Sequence, residues 1–257
     1  MTPTLERVTL ELVPDRVEFR GQAEISLTLD EPRTELWVSS RGLVHSTGSL
    51  VQNGRALRVQ VEPDDVRGVA RIVLAEPAAR GTAVLRLEFS GKMGETPEAL
   101  YREPTASGWG IYSEFEPVDA RRAFPCFDEP SFKIPWELTL VVPERLVAVS
   151  NTDPVEEVST GNGMKRVRFG TTRPLPSYLV ALGVGDFDVV SPPPLAPSTI
   201  RSTPLRVRGI APRGRGGDLA WALRSGGELL GQLESWFGTP YPYEKLDHLA
   251  IPETNVA

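Results

Sequence analysis

The chain has 257 residues, with 28 Lys and Arg against 34 Asp and Glu and a formal net charge of −6. The length allows one large domain or two modest ones, and the acidic balance argues against nucleic acid, because duplex-binding proteins normally carry a basic surface. A single cysteine, Cys126, excludes an intrachain disulfide and a zinc site built from several cysteines. Only two histidines, His45 and His248, are available for metal binding or acid–base catalysis.

The amino-terminal segment shows no recognisable targeting signal. Charged side chains are spread through the first 20 residues, so no apolar signal-peptide core is present. No apolar run reaches the roughly 18 residues that a membrane helix needs. We therefore expect a cytoplasmic protein with no membrane partner.

Most of the chain alternates apolar and polar residues with the period of 2 that is typical of half-buried strands. The clearest runs are residues 23–29, 57–61, 85–89 and 138–142. Turn signals separate such runs at residues 52–54, 62–65, 79–81 and 161–163. Many short strands without intervening helices predict an antiparallel β-sandwich over residues 1–189.

The character of the sequence changes near residue 190. The proline-rich segment 191–197 cannot form a helix interior or a central strand and indicates a stiff connector. A strand is predicted at 205–208, and apolar residues at steps of three and four predict a helix from Asp218 to about Phe237, ending near Gly238. We therefore assign residues 190–257 to a second, incomplete domain.

Five arginines lie close together in this second segment. They are Arg201, Arg206, Arg208, Arg213 and Arg215. We interpret them as a solvated face, with anion or nucleic-acid binding as the alternative.

Residues 111–130 form the densest segment of charged and aromatic side chains. Charges interleaved with bulky apolar residues indicate a partly buried ionic network. The interpretation we favour is that Arg121 or Arg122 pairs with Asp128 or Glu129 to fix the loops.

Two further interpretations concern the same segment. Glu114 and Glu116 are two residues apart, so on a strand they project from one face, as a paired-carboxylate hydrolase requires. Spacing alone does not give the separation that such a mechanism needs. Cys126, between Pro125 and Phe127, is interpreted as a small buried hydrophobic residue.

No standard catalytic motif is present. Neither histidine has a second histidine nearby, so there is no HExxH helix, and we interpret both as structural. The sequence also lacks a GxSxG elbow, a Walker loop and a dinucleotide fingerprint.

Four stretches resemble one known family. The segment YSEFEPVDARRAFPCFDEP, residues 112–130, resembles the signature of the zinc aminopeptidases of the aminopeptidase N type, which are related to the leukotriene hydrolases. Leu100-Tyr101-Arg102 resembles the GLYRS element of that family. PLPSYLVALGVGDF at 174–187 and WFGTPYPYEKLDHLAIP at 236–252 are similar to two further family stretches, and all four occur in the family's order.

The resemblance implies a fold and a role for Glu116. The fold is a saddle-like N-terminal β-sandwich over residues 1–189, followed by the start of a partial α/β thermolysin-like catalytic domain over 190–257. By the match to the FEP motif, Glu116 lines the S1 pocket and holds the free α-amino group of a peptide substrate. The resemblance also implies a cis peptide bond between Glu116 and Pro117.

The resemblance further implies zinc in the complete enzyme, which removes N-terminal residues from peptides. The family's GAMEN and HExxH motifs are not in this chain, so we expect no catalytic residue, no metal ligand and no bound zinc here. The expected partners are a peptide N-terminus and a catalytic domain on the same or a separate chain. We also expect an apolar patch over residues 219–257 that is exposed without such a partner.

Two alternatives remain open. The chain is either a stand-alone, non-catalytic β-sandwich that captures peptide N-termini or a protein partner, or a fragment without a function of its own.

Overall fold

The computed structural model describes residues 1–252. Within these residues the chain is mainly β, with three sheets and one α-helix. The strands are β1 (Thr2–Glu11), β2 (Glu18–Leu29), β3 (Arg33–Ser39), β4 (Val44–Gln52), β5 (Arg55–Asp64), β6 (Val69–Ala78), β7 (Gly81–Lys92), β8 (Ala99–Thr105), β9 (Gly108–Glu114), β10 (Trp136–Pro143), β11 (Val147–Ser150), β12 (Pro154–Gly161), β13 (Met164–Phe169), β14 (Leu182–Gly185), β15 (Phe187–Val190), β16 (Arg206–Pro212) and β17 (Lys245–Leu249).

The helices are short apart from one. The α-helix α1 spans Ala220–Phe237, and 3-10 turns form at Ala120–Arg122, Ser177–Leu179 and Gly216–Leu219. None of the helices within residues 1–252 has both the length and the hydrophobicity that a membrane span requires.

The chain forms two compact units. Among the described residues, the first comprises 1–102 and 111–184, and the second comprises 103–110 and 185–252. The family resemblance divides the chain into 1–189 and 190–257, and that functional division stays a prediction.

The first unit is built on a ten-stranded sheet with the order β12-β13-β10-β1-β2-β7-β4-β5-β6-β3, while β11-β14-β9-β8 form a four-stranded sheet. Side chains of β2 and β7 alternate between buried and exposed, as the sequence pattern predicts. Two groups of buried apolar side chains fill this unit, one containing Leu10 and Trp136 and the other Ile25 and Leu85. Most of the pairings are antiparallel.

Parallel pairing occurs in both units of the described chain, and the antiparallel prediction for residues 1–189 did not include that of β1 with β10. β1 pairs with β10, placing Glu6 opposite Trp136, and β16 pairs with β17. Parallel neighbours need a long connection. More than 120 residues separate β1 from β10, and α1 lies between β16 and β17.

The predicted turns are confirmed at three of four places. Asn53 and Gly54 have φ values of 51° and 75°, and the turn at 161–163 also has positive φ throughout. The turn expected at 62–65 is wrong: β5 continues through Asp64, and the turn follows at residues 65–68. Pro63 is tolerated in the strand because a strand excludes proline only where its missing N–H is needed for the ladder.

In the second unit, α1 packs beside the sheet β15-β16-β17. Leu223 and the preceding Leu219 pack with Val207 of β16, and the helix ends at Gly238, which has φ 66° and donates its N–H to the carbonyl of Glu234 at 2.9 Å. The predicted end of the helix is confirmed.

Candidate functional site

The loop that carries Glu116 leaves the end of strand β9 and is closed by its own backbone. The N–H of Asp119 donates to the carbonyl of Phe115 at 2.9 Å, and the N–H of Glu116 donates to Oε1 of Glu114 at 3.1 Å. The bond between Glu116 and Pro117 is cis, as the resemblance implied. The result is a tight turn with Glu116 near its tip.

Buried residues fix both ends of this turn. Phe115 is buried and meets Phe124 edge to face, with ring centroids 5.5 Å apart. Phe124 in turn lies 5.5 Å from the ring of Trp136 on β10. Ala120 is completely buried and accepts the N–H groups of Ala123 and Phe124 at 2.9 and 3.1 Å. Aromatic pairs of this kind are directional, so they orient the turn as well as anchor it.

Glu116 itself is exposed between these anchors. Its carboxylate therefore projects from a turn whose ends cannot shift without disturbing the core. A carboxylate in such a position can accept a charge-assisted hydrogen bond from a cation. The Glu114 carboxylate accepts the backbone N–H of Glu116 and so helps to shape the turn.

The ionic network predicted after the turn is present. Nε of Arg121 lies 2.8 Å from Oδ2 of Asp128, whose side chain is completely buried, and the Ser177 hydroxyl donates to Oδ1 of Asp128. Arg122, which we offered as an alternative partner, instead pairs with Glu98 at 3.0 Å and with Asp119 at 3.3 Å. A carboxylate is tolerated in a protein core when donors satisfy both of its oxygens, as Arg121 and Ser177 do for Asp128.

Cys126 lies inside this network and is buried, as predicted. Its backbone forms two hydrogen bonds with Ser39 at the end of β3, at 2.8 and 3.0 Å. Burial is the main cause that raises the pKa of the Cys126 thiol well above its usual value, and the nearby Glu6 carboxyl adds to it. The thiol is therefore unsuited to nucleophilic chemistry.

One functional candidate in this region was missed by sequence reasoning. Glu6 of β1 has no exposed surface, and neither carboxylate oxygen has a hydrogen-bond partner among the described residues. The signal was available, since Glu6 alternates in phase with the buried residues Val8 and Leu10 of the same strand.

The histidines do not fit the zinc that the resemblance implies for the complete enzyme. Nε2 of His45 lies 2.9 Å from Oγ of Ser40, and His248 lies on β17, where its ring packs closely against Gly226 of α1. Among residues 1–252, no group of three or more His, Cys, Asp or Glu side chains is placed to hold a metal ion. We therefore assign no zinc chemistry to these residues.

The arginine run of the second unit is not a uniformly solvated face. Arg201 is buried, and its Nε donates to Oε1 of the buried Glu234 at 3.0 Å, which ties the proline-rich connector to α1. Arg208 forms a two-pronged pair with Asp247 across strands β16 and β17, at 2.8 and 2.6 Å. The interpretation of a solvated face is therefore wrong for Arg201. Its acidic partner, Glu234, lies on α1, 33 residues further along the chain.

Comparison with known proteins defines the class. Residues 2–179 match the family model described as the peptidase M1 N-terminal domain. The chain therefore belongs to this family.

Relatives in several kingdoms bear aminopeptidase names. The chain is 30% identical to aminopeptidase N of Acetobacter pasteurianus over 243 residues, covering 93% of this chain and 65% of the relative. It is 36% identical to aminopeptidase M1 of Arabidopsis thaliana, covering 96% of this chain and 29% of the relative. It is 29% identical to human endoplasmic reticulum aminopeptidase 1, covering 91% and 25%. The chain thus spans less than two thirds of the length of each of these relatives.

Proposed function

We propose that this chain forms the N-terminal β-sandwich and the opening of the catalytic domain of a zinc aminopeptidase, and that Glu116 binds the α-amino group of the peptide substrate. The observation that carries the proposal is an exposed carboxylate on a turn that is fixed at both ends by buried residues. The relatives' names support the substrate class, since an aminopeptidase acts at peptide N-termini.

The chemistry explains why a carboxylate serves this purpose. An exopeptidase has to distinguish a charged terminal amine from an internal amide. A fixed carboxylate does so because it forms a charge-assisted hydrogen bond with the ammonium group alone. A substrate without that charge leaves the carboxylate unpaired once water is excluded, which discriminates more strongly than contact area does.

The partner we propose is the remainder of a catalytic domain, packed on an exposed apolar stripe of α1. We define the α1 stripe as Trp221, Leu229, Leu233, Trp236 and Phe237, which are between 51% and 84% exposed. Large exposed apolar patches mark interaction sites. The relatives are much longer than the matched segment, and β17, beside α1, is at the end of its sheet's strand order, where a further strand can pair.

A binding experiment on the 257-residue chain tests the role of Glu116. We would titrate the ¹⁵N-labelled chain with a short alanine peptide and with its N-acetylated form. The proposal predicts shifts of the amide signals at residues 114–120 with the free amine only. These shifts should be lost in Glu116→Gln and kept in Glu144→Gln, a matched exposed carboxylate on another turn. Equal shifts with the acetylated peptide, or unchanged shifts in Glu116→Gln, would contradict it.

The gene sequence beyond codon 257 distinguishes the aminopeptidase from the stand-alone binding module. A DNA read beyond codon 257 that continues in frame into GAMEN and HExxH supports the aminopeptidase. In that longer enzyme, Glu116→Gln should lower kcat/KM by about 10- to 100-fold, as expected from loss of a hydrogen bond to a charged group worth about 1.5–3 kcal/mol. A stop codon at this place favours the non-catalytic module that captures peptide N-termini.

A further inference from the structure

The core of the first unit contains an acidic side chain that the proposed peptide site does not use. Glu6 lies on β1 between β2 and β10, opposite Ile25 and Trp136. Its exposed fraction is 0%, and both carboxylate oxygens are without a hydrogen-bond donor among residues 1–252. An ionised carboxylate in this environment has lost its hydration without gaining any compensating bond, which is one of the most unfavourable arrangements in a protein core.

The charged groups around Glu6 do not relieve this penalty. The titratable groups that act on it are Asp128, which raises its pKa, and the thiol of Cys126. Arg121 is the cation of this cluster, but its Nε is already paired with Asp128, whose other oxygen accepts the Ser177 hydroxyl. Glu129 is exposed. The residues opposite Glu6 on β2 and β10 are the apolar Ile25 and Trp136, so no cation or hydrogen-bond donor among residues 1–252 pairs with a negative charge on Glu6.

We propose that Glu6 is a neutral carboxylic acid in the folded protein at neutral pH, and that loss of its proton loosens the core around the Asp128 segment. Complete burial, two oxygens without partners and a neighbouring carboxylate already paired with Arg121 support this assignment. This inference is independent of the proposed peptide site. It makes the first unit a proton-linked structure whose stability decreases towards alkaline pH.

The direction of the pH dependence follows from the pKa of Glu6. Burial, and secondarily Asp128, raise that pKa well above its usual value of 4.5. Below that value, the folded and unfolded chains both carry the proton, and the full stability is present. As the pH rises above it, the unfolded chain releases the proton and the folded chain keeps it, so stability is lost until the pH reaches the folded pKa.

Chemical denaturation of the full chain at several pH values between 5 and 9 tests the proposal. The unfolding equilibrium constant of the wild type should rise by up to tenfold per pH unit relative to that of Glu6→Gln, which has no proton to lose. Glu11→Gln, an exposed position on the same strand, should keep the wild-type slope. The comparison uses the pH slope of the unfolding equilibrium constant and not the absolute stability, so a general destabilisation by the Gln amide does not affect the result. Glu6→Met provides a second variant without a titratable group.

A spectroscopic readout reports the proton directly. At neutral pH in D₂O, the infrared spectrum of the wild type should contain the C=O stretching band of a protonated carboxylic acid, and this band should be missing in Glu6→Gln and Glu6→Met but present in Glu11→Gln. Equal pH slopes in the wild type and both Glu6 variants, or a spectrum without this band in the wild type, would overturn the proposal.

Discussion

The guanidinium of Arg121 and the carboxylate of Asp128, seven positions apart in the segment that follows the Glu116 turn, lie 2.8 Å from each other. The Asp128 side chain is completely buried, whereas Arg121 is 19% exposed. This pair ties the start of the segment to its end. Asp128 is itself held by the Ser177 hydroxyl, which donates to its carboxylate, and by Oγ of Ser39, which accepts its backbone N–H. It therefore connects the exposed turn with the core below it.

Removal of Arg121 should destabilise the chain strongly. Arg121→Met leaves the buried Asp128 carboxylate without its cation, which costs about 3–5 kcal/mol in comparable buried pairs. The free energy of unfolding in urea measures this loss.

Arg122→Met is the matched control, since the side chain is adjacent in sequence but over a third exposed in its pairs with Glu98 and Asp119. Exposed pairs contribute about 0–1 kcal/mol. Similar losses in the two variants would show that the Arg121–Asp128 pair does not hold the segment.

The α1 stripe should cause association of the isolated chain. We expect the wild type to bind an apolar fluorescent dye and to self-associate, and the triple variant Leu229→Ser, Leu233→Ser, Trp236→Ser to do both less, because the substitutions replace exposed apolar surface. Dye fluorescence and sedimentation velocity measure the two effects. A monomeric wild type that binds no dye would show that this surface needs no partner.

Two neighbouring leucines of α1 differ in burial, and truncating each should therefore have a different effect on stability. Leu229 is 55% exposed and Leu230 is 8% exposed. Leu229→Ala should change the free energy of unfolding by less than about 0.5 kcal/mol, whereas Leu230→Ala should cost about 2–5 kcal/mol. Denaturation curves of both variants provide the check, and a larger loss at Leu229 would contradict the orientation of α1.

Substitution by alanine should have opposite effects on stability at two glycines of α1. A Cβ at Gly226 would lie 2.6 Å from Nε2 of His248, while a Cβ at Gly231 meets nothing within 4 Å. Gly231→Ala should stabilise the chain by about 0.5–1 kcal/mol, because glycine weakens a helix interior. Gly226→Ala should cost about 1–3 kcal/mol through overpacking.

The double variant Gly226→Ala, His248→Ser provides the control for that clash. It should recover part of the loss if the imidazole is the obstacle, and the four unfolding free energies form a double-mutant cycle. An absence of coupling between the two positions would refute the close contact between α1 and β17.

Acid should destabilise the chain through His45. Burial lowers the pKa of its imidazole from 6.5, with Asp65 opposing, so the folded chain binds this proton less readily than the unfolded chain. The contribution of neutral His45 to the stability of the folded chain is therefore fully present above pH 6.5 and is lost as the pH falls towards the pKa of the folded state. The unfolding equilibrium constant of the wild type should rise more steeply than that of His45→Gln between pH 6.5 and 5. Ser40→Ala keeps the imidazole and should retain the steeper slope; identical slopes in wild type and His45→Gln would contradict the assignment.

Several parts of the fold could be predicted because they depend on local patterns. The alternation over residues 23–29 and 85–89 specifies strands with one buried face, and Asn53-Gly54 specifies a turn with positive φ. The family was also predictable, because the run from Phe115 to Pro130 is long and specific, and its match is confirmed over residues 2–179. The role of Glu116 stays a prediction, since an exposed position on a fixed turn supports it without testing it.

What the sequence determined by itself is therefore which residues face inward, where the chain turns and to which family it belongs. The tertiary structure alone decided which distant segments meet: the parallel pairing of β1 with β10, the buried pair of Arg201 with Glu234 and the isolation of Glu6 beside Asp128. The physical reason is that a period of 2 reports the side of a strand on which a residue lies. It carries no information on the strand's neighbours or register, and the energy of a buried charge depends on those neighbours.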